Sequence, residues 1–138
     1  MRIRIKRLHA DAVLPALDER PERDGMRLCA VETLTLNTGV PCLVPTGLVI
    51  ELPPGYQAQI RPCNSLALEH GVIIANAPGT VDPGYRGEIG VVLLNLAPNP
   101  HVVQKGDFIA KLVVTRYEPI EWVESSLAAS DDIQVDLE

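Results

Sequence analysis

The window from Asn76 to Glu88, NAPGTVDPGYRGE, holds the residue types best suited to chemistry. Gly79, Pro83, Gly84 and Gly87 break it into a tight hairpin between two apolar runs, with Asp82 at the apex beside Tyr85. A hairpin this rich in glycine bares main-chain donors and acceptors that can hydrogen-bond the edge of a planar base, while a neighbouring ring supplies a flat wall. In outline this is a nucleoside pocket. The spacing also describes a tight turn with a solvated Asp82 and a half-buried Tyr85.

Other chemistry-bearing residues are sparse. Cys29, Cys42 and Cys63 are odd in number and lack CxxC spacing, and only His9, His70 and His101 accompany them, so neither a disulfide framework nor a zinc site is expected. The thiols read as buried or inert; Cys63 would be reactive only if Arg61 or Arg27 lowered its pKa. His70 reads as a capping or surface residue. Against 18 Asp and Glu stand 12 Lys and Arg, a net charge of -6 that repels a polyphosphate backbone, so nucleic acid is not an expected partner. A small anionic ligand needs only a few local donors and remains compatible. The sequence has no run of 18 apolar residues, and no apolar signal region follows the basic start Met1 to Arg7. The expectation is a cytoplasmic protein without membrane contact.

The elements that position the hairpin follow from punctuation and period. A length of 138 residues is expected to form one domain, 1–138, with an acidic tail over about 124–138. Hydrophobic residues make up 46% but aromatics only 4%, so the core must be built of Val, Leu, Ile and Ala. Ten Gly and twelve Pro are scattered along the chain and predict short elements. Met1 to Leu8 alternates apolar and basic residues as a half-buried strand does. Further strands are predicted over 28–31, 34–36, 41–44, 47–52, 56–60, 72–75, 79–81, 88–96 and 108–117. Asn64 to His70 is the one helical stretch, with Asn64 able to cap it and Gly71 to end it. Asp18 to Asp24 (DERPERD) reads as a solvated loop, and Ser125 to Glu138 as a tail that is mobile or draped over a neighbour. Tyr117 and Trp122 are expected to cover the barrel or a subunit contact.

Taken together, RIRIKRL, GLVIELPPGYQAQIRP, LALEHGVIIANAPGTVDPGYRGEIGVVLLNL and GDFIAKLVV resemble the trimeric dUTPases, collinearly over most of the chain. The resemblance implies an all-β fold, a distorted jelly-roll β-barrel with one short helix. It also implies a homotrimer with active sites between subunits, and magnesium-assisted hydrolysis of dUTP to dUMP and pyrophosphate. By the same resemblance, Asp82 would deprotonate the water that attacks the α-phosphorus. Asn76 and the hairpin backbone around Gly79 would read uracil, and Tyr85 would pack on the deoxyribose and reject a 2'-hydroxyl. A carboxylate one hydrogen bond from a water suits a general base. Gly84 stands where the family often has a second acid.

The phosphate side departs from the family pattern. Arg27, in Gly25-Met26-Arg27-Leu28, replaces the metal-side Asp; Cys63, Asn64 and Ser65 replace Arg, Ser and Gly; and Lys111 replaces a phosphate-contacting Gln. No Gly-rich tail with Arg and Phe is found to close over the nucleotide. The metal side therefore offers no carboxylate, and magnesium is a family expectation only. Arg27 and Lys111 are new cations able to bind phosphate, which predicts altered nucleotide binding with reduced metal dependence. Three readings follow: a dUTP diphosphatase of weak or altered activity, a catalytically inactive nucleotide-binding, regulatory or structural relative, and a subunit of a mixed trimer. A deaminase related to dCTP deaminases is disfavoured, because Val92 stands where they need a Glu.

Overall fold

Aliphatic residues that alternate with polar ones, cut every few positions by Gly, Pro or Asn, build short strands. The computed structural model describes residues 1–17 and 25–129 and contains twelve strands and one helix among them. In chain order these are β1 (Arg4–Arg7), β2 (Ala16–Leu17), β3 (Met26–Cys29), β4 (Leu34–Leu36), β5 (Cys42–Pro45), β6 (Leu48–Glu51), β7 (Tyr56–Pro62), α1 (Asn64–His70), β8 (Val72–Ile74), β9 (Gly79–Val81), β10 (Gly90–Asn95), β11 (His101–Val103) and β12 (Phe108–Arg116). A five-stranded sheet runs β2-β3-β12-β7-β9 and a three-stranded one β5-β10-β8, with the pairs β1-β6 and β11-β4 beside them. Every ladder is antiparallel. This is the all-β, jelly-roll arrangement that the strand pattern and the family resemblance imply.

Strand period decides which side chains enter the core. Ala58 and Ile60 of β7, Leu28 of β3 and Ala110 and Leu112 of β12 point inward and are buried. Their sequence neighbours Gln59, Arg61, Arg27 and Lys111 fall on the outward face. The core cluster is wholly aliphatic, as the shortage of aromatics requires; Leu28, Leu36, Leu48, Ile89, Leu93 and Ile109 are its largest members. Each such side chain contributes about 1.5–3 kcal/mol by leaving water. Two polar side chains share the interior. Thr46 donates from Oγ1 to the Ile89 carbonyl at 2.6 Å, and the Asn95 amide is fully bonded.

Three local expectations are corrected. The first strand, expected to be half-buried, is exposed along β1, which among the described residues pairs only with β6; Ile3 and Ile5 instead border an apolar cavity of about 280 Å³ with Leu14, Met26, Ile50 and Leu112. The helix spans Asn64–His70 as expected, but its cap is Cys63, in extended geometry, and no side chain caps it. Asn64 lies one position too far into the helix to accept from the free N–H groups. Its end is as expected: Gly71 is left-handed at φ 65°, and its N–H bonds the Ala67 carbonyl. Trp122 covers no part of its own barrel, being 87% exposed. The expected loop at 18–24 and the tail beyond residue 129 lie outside the described residues.

Candidate active site

β9 carries the hairpin on the edge of the five-stranded sheet, where Gly79, Thr80 and Val81 pair with Ile60, Gln59 and Ala58 of β7. Gly79 and Val81 are buried, so Thr80 and Asp82 face outward. A Cβ on Gly79 would lie 3.4 Å from Ile60 and 3.5 Å from Asn76 Nδ2, which places the exposed Asn76 amide across this glycine. The Tyr85 N–H donates to the Asp82 carbonyl at 3.1 Å and closes a turn with Pro83 and Gly84 at its centre. Proline presets the turn at the first central position. Gly84 does not have positive φ, and a Cβ there meets nothing within 4 Å, so the turn would accept an acidic side chain at this position.

Two further contacts stiffen the hairpin. Arg86 Nη1 donates to the Pro83 and Tyr85 carbonyls at 2.6 and 3.0 Å, and its Nη2 lies 3.7 Å from Glu51 Oε1. Tyr85, 46% exposed, donates from its hydroxyl to the Glu88 carbonyl at 2.8 Å. Its ring lies so close over Gly87 that a Cβ there would sit 2.5 Å from the hydroxyl oxygen. The exposed Asp82 carboxylate makes no hydrogen bond or ion pair among the described residues. A cavity of about 680 Å³ opens behind the turn, bordered by Pro83, Gly84, Arg86, Glu51 and Tyr117.

The departing phosphate-side positions gather at the other end of the same sheet. Lys111 pairs with Arg27 on one side and Arg61 on the other, and Ala110 pairs with Pro62, just before Cys63, Asn64 and Ser65. Arg27 lies over the Phe108 ring, 5.1 Å from its centroid. Cys63 is buried, its sulfur 3.1 Å from Ser65 Oγ, whereas Asn64 and Ser65 are exposed. Arg61 stands out only here. The sequence signal was its place two residues before Cys63 on a strand of period two. The Cys29 thiol is pushed up mainly by burial, against the pull of Arg27, which fits an inert group.

Beside this end, Ser65, Glu69, His70, His101, Asp107 and Phe108 border a cavity of about 210 Å³. The His70 and His101 rings lie 4.7 Å apart, and burial first, then His70, holds His101 below the ordinary histidine range. Among the described residues no group of three His, Cys, Asp or Glu side chains is placed to hold a metal ion. At the metal-side position stands the guanidinium of Arg27, which repels a cation. Among the described residues the side chains there therefore do not fit a protein-held magnesium ion.

Asp82 and the cation row are separated within one chain. Val81 pairs with Ala58, three residues along β7 from Arg61, and Asp82 lies one residue farther out. That leaves about 13 Å of strand between them.

An antiparallel jelly-roll presenting a carboxylate, an amide and a ring on one edge hairpin defines the class: an all-β protein with a candidate nucleoside site. A family model described as dUTPase matches residues 14–134. The deoxyuridine 5'-triphosphate nucleotidohydrolase of Solibacter usitatus is 55% identical over 131 residues, 94% of this chain and 89% of that protein. The one of Wolinella succinogenes is 46% identical over 124 residues, 90% and 83% of the two chains. The chain belongs to the dUTPase family. Among solved structures, a variant dUTPase of phage phi11 of S. aureus, described as coordinating a structural Mg(II) ion, matches with a TM-score of 0.84 at 17% identity, covering 94% of this chain and all of that one. A Staphylococcus bacteriophage 80alpha dUTPase with dUpNHpp gives the same score at 18% identity over 94% and 90%. At such identity these two speak to the fold.

Proposed function

We propose that this protein hydrolyses dUTP to dUMP and pyrophosphate, with Asp82 as general base. The presentation of Asn76, Asp82 and Tyr85 on one stiffened hairpin carries this reading, and the activity named for its relatives agrees with it. Asn76 and the main chain around Gly79 hold the uracil edge, and Tyr85 lies against the deoxyribose. Asp82 takes a proton from a water, whose oxygen bonds the α-phosphorus as the bond to the bridging oxygen breaks and pyrophosphate leaves. No step passes through a protein-held metal.

Turnover is weak or altered, because the phosphate side has lost an Arg, a hydroxyl and a carboxylate relative to the family pattern. A single donor to developing charge is worth about 2.7–4 kcal/mol of barrier. A second reading, a nucleotide-binding protein without turnover, has one observation in its favour: Cys63, at the phosphate-contacting Arg position, is buried against Ser65 and offers no donor. The deaminase reading has no support, since Val92 is an aliphatic β10 residue opposite Leu43.

The working unit is a homotrimer rather than a single chain. Some 13 Å of strand separate Asp82 from the cations, and the family resemblance implies active sites between subunits. Ile120, Trp122, Val123 and Leu127, exposed by 68%, 87%, 78% and 88%, give the segment after β12 an apolar surface for a neighbouring subunit. A mixed trimer is the alternative assembly. Among the described residues no helix is long and apolar enough to cross a membrane, and a dUTP hydrolase belongs with the cytoplasmic nucleotide pool.

The deciding experiment incubates the protein with dUTP, dCTP, dTTP and UTP and measures pyrophosphate release beside thermal shifts. Pyrophosphate from dUTP alone supports the diphosphatase; a thermal shift with dUTP but no turnover favours the binder, and neither signal refutes both. Gly87→Ala tests the sugar wall. Only the far end of Tyr85 must move, so folding should be nearly unchanged while the ring leaves its place. The preference for dUTP over UTP, as a ratio of kcat/KM, is expected to fall about tenfold, the scale on which small-group rejection operates. An unchanged ratio would remove Tyr85 from sugar selection.

A further inference from the structure

We propose that the contact between His70 and His101 is an acid-sensitive latch, which holds α1 against β11 while both imidazoles are neutral and releases the helix when both carry a proton. The two side chains come from distant parts of the chain. His70 is the last residue of α1, and His101 opens β11, where it pairs with Leu36 of β4. Their ring centroids lie 4.7 Å apart with the planes inclined at 42°. Neutral imidazoles at that distance pack as aromatic rings do. Two imidazolium ions there repel each other.

The helix is held lightly enough for this one contact to count. No residue of α1 is buried, no side chain caps its first turn, and Leu66 rests only half-buried against the core. Few charges offset a repulsion between the rings. Glu69 Oε2, on α1, stands 4.0 Å from His70 Nε2 but is 68% exposed, so water screens it. Asp107, in the turn before β12, favours a proton on His101, and its carboxylate is already engaged by the Gln104 N–H at 2.9 Å. The other residues around the cavity, Ser65, Leu66, Val103, Phe108 and Ile109, carry no charge, and neither do β4, β8 or the stretch 96–100 before His101. Burial first, then His70, outweigh Asp107 and hold His101 below the ordinary histidine range. A group that is harder to protonate folded than unfolded gives stability that is whole above its unfolded value and is lost as pH falls through its folded one. For His101 the loss begins as pH drops below the ordinary value of 6.5, so the latch is closed at neutral pH and opens in acid. Because α1 begins at the exposed Asn64 and Ser65, its release loosens the phosphate side of the molecule and leaves the hairpin alone.

The test is amide hydrogen exchange of the full chain between about pH 5 and 8, the range in which histidine changes charge, with rates corrected for the intrinsic effect of pH. The Ala67 N–H, bonded to the Cys63 carbonyl, and the Gly71 N–H, bonded to the Ala67 carbonyl, report the helix, and the β7-β12 ladder reports the core. Protection of α1 is expected to fall about fivefold from the neutral to the acid end, the upper scale for like charges in contact, while the ladder stays level. His70→Gln and His101→Gln each leave a single imidazole, so α1 protection should be independent of pH in both. His9→Gln, at a histidine beside Gly47, should keep the fall of the unaltered chain. Histidine NMR gives a second reading: in His70→Gln the His101 ring should take its proton at higher pH, because one of the two causes that hold it down is gone. An acid loss of equal size in the unaltered chain and both variants would overturn the proposal, since the rings would then serve packing alone. So would a loss spread evenly over α1 and the ladder, or an unchanged His101 titration in His70→Gln.

Discussion

Asp82→Asn is expected to lower kcat for dUTP about 10²–10⁴-fold, the usual contribution of a positioned general base. KM should change little, because the amide keeps the size and polarity of the carboxylate while losing its ability to take a proton. The fold should not register the change. Among the described residues the carboxylate makes no hydrogen bond or ion pair, and the turn is closed by the main-chain carbonyl of Asp82, which the substitution retains. A buried structural acid would behave oppositely, losing stability and activity together. The measurement is single-turnover pyrophosphate release beside a thermal melt. Full activity in Asp82→Asn would place the base elsewhere, and a large drop in melting temperature would make Asp82 a structural residue.

Asp82 also separates the two halves of the site. The hairpin is stiffened by bonds among its own residues, Tyr85 to Glu88 and Arg86 to Pro83 and Tyr85. Changes on the phosphate side, on β7, β12 and β3 and about four residues away along the strands, therefore leave it undisturbed. The hairpin and the cation row can therefore change independently on such a scaffold.

What could be read in advance was local. β9 at Gly79–Val81 and α1 at Asn64–His70 lie where Gly and Pro punctuation put them, and Gly71 ends the helix because a left-handed residue is needed there. What escaped depends on pairings between distant residues. Nothing near Arg61 says that Lys111, fifty positions later, will stand beside it, since register is set by which strands meet. The His70 and His101 contact is likewise made by folding, and the two-residue strand β2 is too short to show a period. The capping error at Asn64 has a different cause. A good capping residue one position late satisfies propensity and misses geometry, and the buried Cys63 took the place.

Asn95 is where the fold itself should be most sensitive, and the sequence around it, GVVLLN, disguises this by ending an aliphatic strand on a polar residue. The side chain is wholly buried. Its amide nitrogen donates to the Leu36 carbonyl at 3.1 Å and the Asn99 carbonyl at 2.8 Å, and its oxygen accepts from the Ala97 N–H at 2.9 Å. One residue thereby ties β4, β10 and the turn after β10. Replacement by Leu keeps the bulk but strips partners from three main-chain groups, each costing about 1–3 kcal/mol when left unmet. Asn95→Leu is thus expected to destabilise the protein by about 3 kcal/mol or more, a large part of the roughly 5–15 kcal/mol that holds a domain folded. Thr46→Val provides the contrast. The Ile89 carbonyl that Thr46 Oγ1 bonds also accepts from the Thr46 N–H, so no acceptor is abandoned and the loss should be about 1 kcal/mol. Urea unfolding measures both, as a fall in midpoint at unchanged slope. Equal losses in the two variants would mean that burial of a polar group, and not the three-way amide network, sets the stability at this position.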